Sequence, residues 1–107
     1  MSKRSEAAAA QVFSALGDTT RLSLVTKLGT GAQSATALAD GAKVTRQAIV
    51  KHLRVLEGAG LVTHEKSGRE VLYALEGGRL REARAYLETV SAHWDRAIER
   101  LRKMVED

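Results

Sequence analysis

Between residues 34 and 62 the apolar positions of the chain follow a helical rhythm. Ile49, Leu53 and Leu56 recur at steps of four and three, which places them on one stripe of a helix and makes that stripe the buried one. Gln47, Val50, Lys51 and Arg54 fall largely on the other side. Thr45 is positioned to cap the start, and Gly58 and Gly60 to end it, giving a helix of roughly three to four turns. Upstream, Ser34 caps a shorter predicted helix through Asp40, and Gly41 to Val44 form a connector of turn length. Two helices joined by a short turn containing glycine form a helix-turn-helix over 34–60, in which the second helix is the one that enters a DNA major groove.

The flanking segments complete the pattern. Residues 1 to 5 read as a polar, frayed start; the alanine run from Ala7 to Ala10, with Val12, Phe13 and Leu16 on its edge, predicts a first helix that Gly17 stops. Asp18 caps a second helix from Thr19 to Leu28, with Leu22, Val25 and Leu28 facing inward at steps of three, and Gly29 and Gly31 close it. Over 61–75, two runs flank Ser67-Gly68, and the second alternates with strand-forming residues, which predicts a two-stranded hairpin with Lys66 and Arg69 beside its tip. From Gly77-Gly78 a long helix begins, spanning 79–106. Leu80, Ala83, Leu87, Val90, Trp94, Ala97, Leu101 and Met104 alternate steps of three and four without a break, with Ile98 and Val105 widening the stripe. The predicted fold is mainly α with a small β-hairpin: a winged helix-turn-helix of five helices plus a two-stranded wing, in one domain over 1–107.

A last helix of about 25 residues, near 38 Å long, outruns the core that a domain of this size can offer. Its surplus apolar seam needs a partner, and the simplest is the last helix, or the alanine-rich first helix with Val12, of a second copy. The bland alternative folds it back as an ordinary core helix with a frayed end.

Composition sharpens the partner. Lys43, Arg46, Lys51 and Arg54 occur between residues 43 and 54 with no acid among them, and a formal charge of +4 agrees with a polyanionic surface as target. A solvated helix face would ordinarily mix signs. The absence of Cys excludes disulfides, thiolate metal sites and cysteine redox sensing. No apolar run reaches the roughly eighteen residues needed to cross a bilayer, and the start does not fit a signal peptide, so the expected location is the cytoplasm. An enzyme is not indicated: there is no cysteine nucleophile, no phosphate-cradling glycine motif and no paired metal-ligand spacing. No cofactor is expected.

Two strings then carry a resemblance. Phe13 to Leu22, reading FSALGDTTRL, and Val44 to Val62, reading VTRQAIVKHLRVLEGAGLV, are similar to the ArsR (ArsR/SmtB) family of bacterial winged helix-turn-helix repressors. The resemblance covers nearly the whole chain. It implies a homodimer joined through its first and last helices, binding two-fold-related operator DNA and commonly releasing it when an inducer binds. The family's thiolate box falls on Ser34 and Thr36, whose hydroxyls are poor ligands for soft metals. Its other common site needs an Asp-x-His pair and a later His and acid, whereas His93 and Asp95 stand in the opposite order with no second His after them. The resemblance is thus to the metal-independent branch. Val50 stands where members commonly carry Ser, which replaces a hydroxyl contact with one suited to a thymine methyl.

The expected site follows from side-chain chemistry. Gln47 matches the edge of adenine and Arg46 that of guanine or a phosphate; Lys51, Arg54 and Arg69 act as phosphate clamps, Lys66 reaches DNA from the wing, and Thr45 caps the helix and touches backbone. The expected partners are double-stranded DNA and a second copy of the chain, with an unknown small-molecule inducer left open around Tyr86, His93 and Trp94. The competing expectation, a protein-interaction module working through the last helix, is separated by salt: only the DNA binder loses affinity steeply as salt rises.

Overall fold

The computed structural model describes residues 2–106, so Met1 and Asp107, the two ends of the expected domain, lie outside the described residues. The first helix, α1 (Lys3–Leu16), starts earlier than the polar opening suggested. Ser2 is its cap: the Ser5 amide donates to Ser2 Oγ at 3.1 Å, and Glu6 in the first turn complements the helix dipole. Asp18 caps α2 (Thr19–Leu28) by accepting from the Arg21 amide at 3.0 Å.

The inward face of α2 differs from the expected one. Leu24 and Leu28 are buried, Val25 is half-buried and Leu22 is 51% exposed. At 3.6 residues per turn each three-residue step drifts by about 60°, so Leu22, Val25 and Leu28 spread too widely for one partner, whereas the four-residue step from Leu24 to Leu28 drifts by about 40°. The structure resolves the choice by packing α2 on the second helix of the helix-turn-helix.

Next come β1 (Gln33–Ser34) and α3 (Ala35–Ala39), capped by Ser34, then α4 (Arg46–Gly58), capped by Thr45. Gly60 ends α4. Its φ is +78°, the Gly60 amide donates to the Glu57 carbonyl and the Leu61 amide to the Leu56 carbonyl, each at 3.0 Å, and Leu56 and Leu61 pack beneath the turn. This paired bonding satisfies carbonyls that a helix end otherwise leaves open.

The wing consists of β2 (Val62–Ser67) and β3 (Glu70–Leu75), paired antiparallel with Ser67 opposite Glu70. The structure adds one strand to this hairpin and shifts its turn. The sheet has three strands, in the order β1-β3-β2, with Gln33 opposite Tyr73 and Ser34 opposite Leu72. A two-residue strand carries no periodicity for a sequence to show. The turn is also centred one residue later, on Gly68-Arg69. Gly68 has φ +61° and, among the described residues, no non-glycine residue has positive φ, the pattern of a turn whose first central residue alone is left-handed. Arg69 therefore sits at the tip itself.

Val12, Leu24, Leu38, Ile49, Leu53, Leu56 and Leu61 fill one aliphatic core under α1 to α4 and the wing. The last helix, α5 (Gly77–Glu106), has 30 residues and so a length of about 45 Å. Its first part packs on α1, where Ala83 is buried and Tyr86 Oη donates to Glu6 Oε1 at 3.1 Å. Every residue from Ser91 to Glu106 is exposed, and the molecule measures 67 × 29 × 20 Å. No helix among the described residues is long and apolar enough to cross a membrane.

Candidate nucleic-acid interface

The outward face of α4 is built by its cap and its buried stripe together. Thr45 Oγ1 accepts from the Ala48 amide at 3.1 Å, which fixes where the helix begins. Ile49, Leu53 and Leu56 face the core at 1%, 0% and 0% exposure, so Arg46, Gln47, Lys51 and Arg54 are forced outward, and all four are exposed. Val50 is half-buried: part of it packs against the core and part stays open beside Arg46.

Between α3, α4 and β3 lies a groove of about 290 Å³ lined by Arg46 and Val50 of α4, by Ser34, Ala35 and Thr36 at the start of α3, and by Arg69, Glu70, Val71 and Tyr73 of the wing. The recognition helix and the wing tip thus contribute an arginine each to one concavity. Lys66 is exposed but opens on a separate depression of the sheet with Thr63 and Leu72. The two wing cations are therefore split between two surfaces.

Side chains absent from the expected site hold this surface in place. Arg21 Nε donates to the Ala15 carbonyl at 2.7 Å, tying the end of α1, while Arg21 Nη1 lies 3.4 Å from Nδ1 of His52 on α4. A guanidinium only donates, so His52 Nδ1 accepts in that contact. Asp18 Oδ2 is farther from the same nitrogen, at 3.7 Å, beyond hydrogen-bond range. The Arg21 amide bonded to Asp18 holds its carboxyl below the usual carboxylate range; desolvation opposes the shift, and the Arg21 charge adds to it. Asp18, Arg21 and His52 thus clamp the α1–α2 corner to the middle of α4. The ASP-THR-THR-ARG part of the FSALGDTTRL string carries this clamp, but only the fold shows that it faces His52.

A second tie joins the wing. His64 Nδ1 on β2 hydrogen-bonds to the half-buried Glu57 carboxylate near the end of α4, and the His64 ring lies against Tyr73 across the hairpin with centroids 5.7 Å apart. A third is the 3.1 Å bond from Arg46 Nε to Thr36 Oγ1. No sequence signal marks it, because the two residues lie ten apart on different helices.

The residues expected at a subunit interface divide into two groups. Val12 and Ala83, at 0% and 1% exposure, are consumed by the protomer's own core and are withdrawn from the candidate interface. Val90 is half-buried, while Leu80, Leu87, Trp94, Ala97, Leu101 and Met104 are exposed. Tyr86 is half-buried on α5, and His93 and Trp94 are exposed further along it. The groove beside Tyr86 is lined by Ser5, Glu82, Ala85 and Thr89, and its hydrogen bond to Glu6 pushes the Tyr86 phenol up from its ordinary value. His52, His64 and His93 lie on α4, β2 and α5, and among the described residues no three His, Asp or Glu side chains are grouped to hold a metal ion.

A capped helix pair, a basic second helix and a hairpin with a cationic tip define the class as a winged helix-turn-helix. Comparison with known proteins narrows it. A helix-turn-helix domain family matches residues 16–65. The chain is 35% identical over 91 residues to the HTH-type transcriptional repressor SmtB of Mycobacterium tuberculosis, covering 85% of this chain and 66% of that protein. It is 39% identical over 71 residues to the HTH-type transcriptional regulator NmtR of the same organism, covering 64% and 59%. The chain thus spans just under two thirds of the length of these relatives. Among solved structures, an ArsR-like transcriptional regulator from Rhodococcus sp. RHA1 superimposes with a TM-score of 0.80 at 42% identity, covering 92% of this chain and 93% of that one. The chain belongs to the ArsR/SmtB family of winged helix-turn-helix regulators.

Proposed function

We propose that the chain is a DNA-binding transcriptional repressor that acts as a homodimer on a palindromic operator in the cytoplasm, without a thiolate or paired-histidine metal-sensing site. The observation that carries the reading is the groove in which Arg46 of the recognition helix and Arg69 of the wing tip face the same space. A major-groove reader needs a rigid helix with its polar N-terminal face free and a second cationic point that fixes register on the backbone, and this groove joins the two. The repressor named SmtB among the relatives supports the same reading. Membership in a family of regulators speaks against an enzyme.

Support for a second copy comes from α5, whose apolar positions Trp94, Ile98, Leu101, Met104 and Val105 are 64%, 49%, 59%, 76% and 78% exposed. Pairing this half of the helix with its symmetry mate would cover them. The two recognition helices would then enter successive major grooves, with half-sites about 10 bp apart.

Two substitutions separate base reading from backbone clamping. Gln47→Ala is expected to cost about 1–3 kcal/mol on the operator and leave binding to random duplex almost intact, because a bidentate contact to adenine is lost only where adenine is present. Equal weakening on both DNAs would make Gln47 a positioning residue instead. Arg69→Ala should weaken binding to every sequence and reduce the slope of log affinity against log salt by about one unit. A salt-titrated shift assay with operator and scrambled duplex measures both. Failure of the wild-type protein to bind duplex DNA with a steep salt dependence would instead favour a protein-interaction module built on α5.

A further inference from the structure

Thr36, the second residue of α3, accepts a hydrogen bond from Nε of Arg46, the first residue of α4, at 3.1 Å across the helix-turn-helix connector. Both side chains are exposed and both line the groove that also holds Arg69. Among the described residues the Arg46 guanidinium has no carboxylate partner, in contrast to Arg79, Arg84 and Arg102, which pair with Glu82, Glu88 and Glu99 along α5. A neutral hydroxyl therefore orients this arginine without cancelling its charge.

We propose that Thr36 is a specificity-determining positioning residue, whose hydroxyl holds Arg46 by Nε so that the guanidinium presents its terminal Nη1 and Nη2 pair to a guanine. The inference rests on the DNA-binding reading above and deepens it. A guanidinium has two donor edges that match guanine O6 and N7: the side edge, formed by Nε and one Nη, and the end edge, formed by the two Nη groups. The bond to Thr36 occupies Nε and leaves the end edge. It also restricts a long side chain before DNA arrives, so less rotamer freedom is lost on binding. A phosphate anchor needs no such restraint, because charge attraction tolerates many orientations; base reading does, because the two acceptors of guanine fix the plane of the fork.

The test begins with the sequence that the full-length wild-type protein selects from a pool of random duplexes, and uses that duplex, its single-base variants and a scrambled control as probes. Thr36→Val keeps the β-branched shape and removes the acceptor; Thr36→Ser keeps the acceptor. Thr36→Val is expected to lower discrimination at one guanine-containing base pair per half-site by about 3- to 10-fold, the range for one hydrogen bond, with scrambled-duplex affinity and melting temperature unchanged. Thr36→Ser should retain discrimination within about twofold. In an Arg46→Ala background, Thr36→Val should add no further loss, because the two act through one contact. Equal weakening on all DNAs, or full loss in both Thr36→Val and Thr36→Ser, would assign Thr36 a structural role and overturn the proposal. Unchanged discrimination in Thr36→Val overturns it alone, whereas a wild-type protein that selects no sequence overturns it together with the DNA-reading proposal.

Discussion

Replacing Trp94 and Leu101 together by Glu is expected to convert the proposed dimer to a monomer at micromolar concentration and to lower affinity for the proposed operator by roughly 100-fold or more. Both side chains lie on the free half of α5, at 64% and 59% exposure, so neither contributes to the core of a single protomer. In a two-fold pairing of α5 both would face the apolar stripe of the mate, and four carboxylates would lose water inside an apolar seam without partners, a cost of several kcal/mol per buried ion. The loss in affinity follows because two half-sites held by one dimer bind as a unit, whereas separate protomers bind each independently. Sedimentation measures the first effect and a shift assay at fixed salt the second. A double variant that stays dimeric would move the interface away from this stripe, and a wild-type protein that is monomeric at micromolar concentration would remove the basis for a palindromic operator.

Leu53→Ala is expected to destabilise the fold by about 2–5 kcal/mol, which for a domain of this size lowers the melting temperature by about 4–8 °C per kcal/mol. Leu53 has no exposed surface and sits midway along the buried stripe of the recognition helix, with Ile49 four residues before it and Leu56 three after. Truncating it removes methyl groups that touch the core and leaves a cavity under the helix that carries Gln47 and Arg46. The measurement belongs in the Trp94→Glu, Leu101→Glu background, where a monomer's melting would not depend on protein concentration. A loss below about 1 kcal/mol would contradict the packing of α4 described here.

The elements themselves were largely legible from the residues. Caps at Asp18, Ser34 and Thr45 act over three residues, so the sequence displays both partners of each bond. The buried stripe of α4 was likewise visible, because a helix longer than three turns repeats its pattern often enough to fix the phase. On α2 the pattern was ambiguous: Leu22, Leu24, Val25 and Leu28 fit more than one face, and the neighbour that chose among them, α4, is remote in sequence. The strand β1 was invisible because two residues show no alternation and its partner Tyr73 is forty positions away.

The candidate site divides in the same way. Which residues carry charge or a bidentate amide is a property of the sequence, and Arg46, Gln47, Lys51, Arg54 and Arg69 could be named from it. How the seam of α5 is divided could not. Ala83 and the region of Tyr86 are covered by α1, and the stripe beyond Ser91 is bare, because α1 reaches only the first part of a much longer helix.

By itself, then, the chain determined its capped helices, the basic face of its second motif helix, its hairpin and its long apolar seam, since each depends on residues a few positions apart. Tertiary structure alone decided that Val12 and Ala83 belong to the protomer's own core, that Arg46 and Arg69 share one groove while Lys66 faces another, and that Thr36, Arg21 and His64 tie α4 to its neighbours through Arg46, His52 and Glu57. Those outcomes depend on distances between segments far apart along the chain, which are set by how the helices and the sheet pack around their common core.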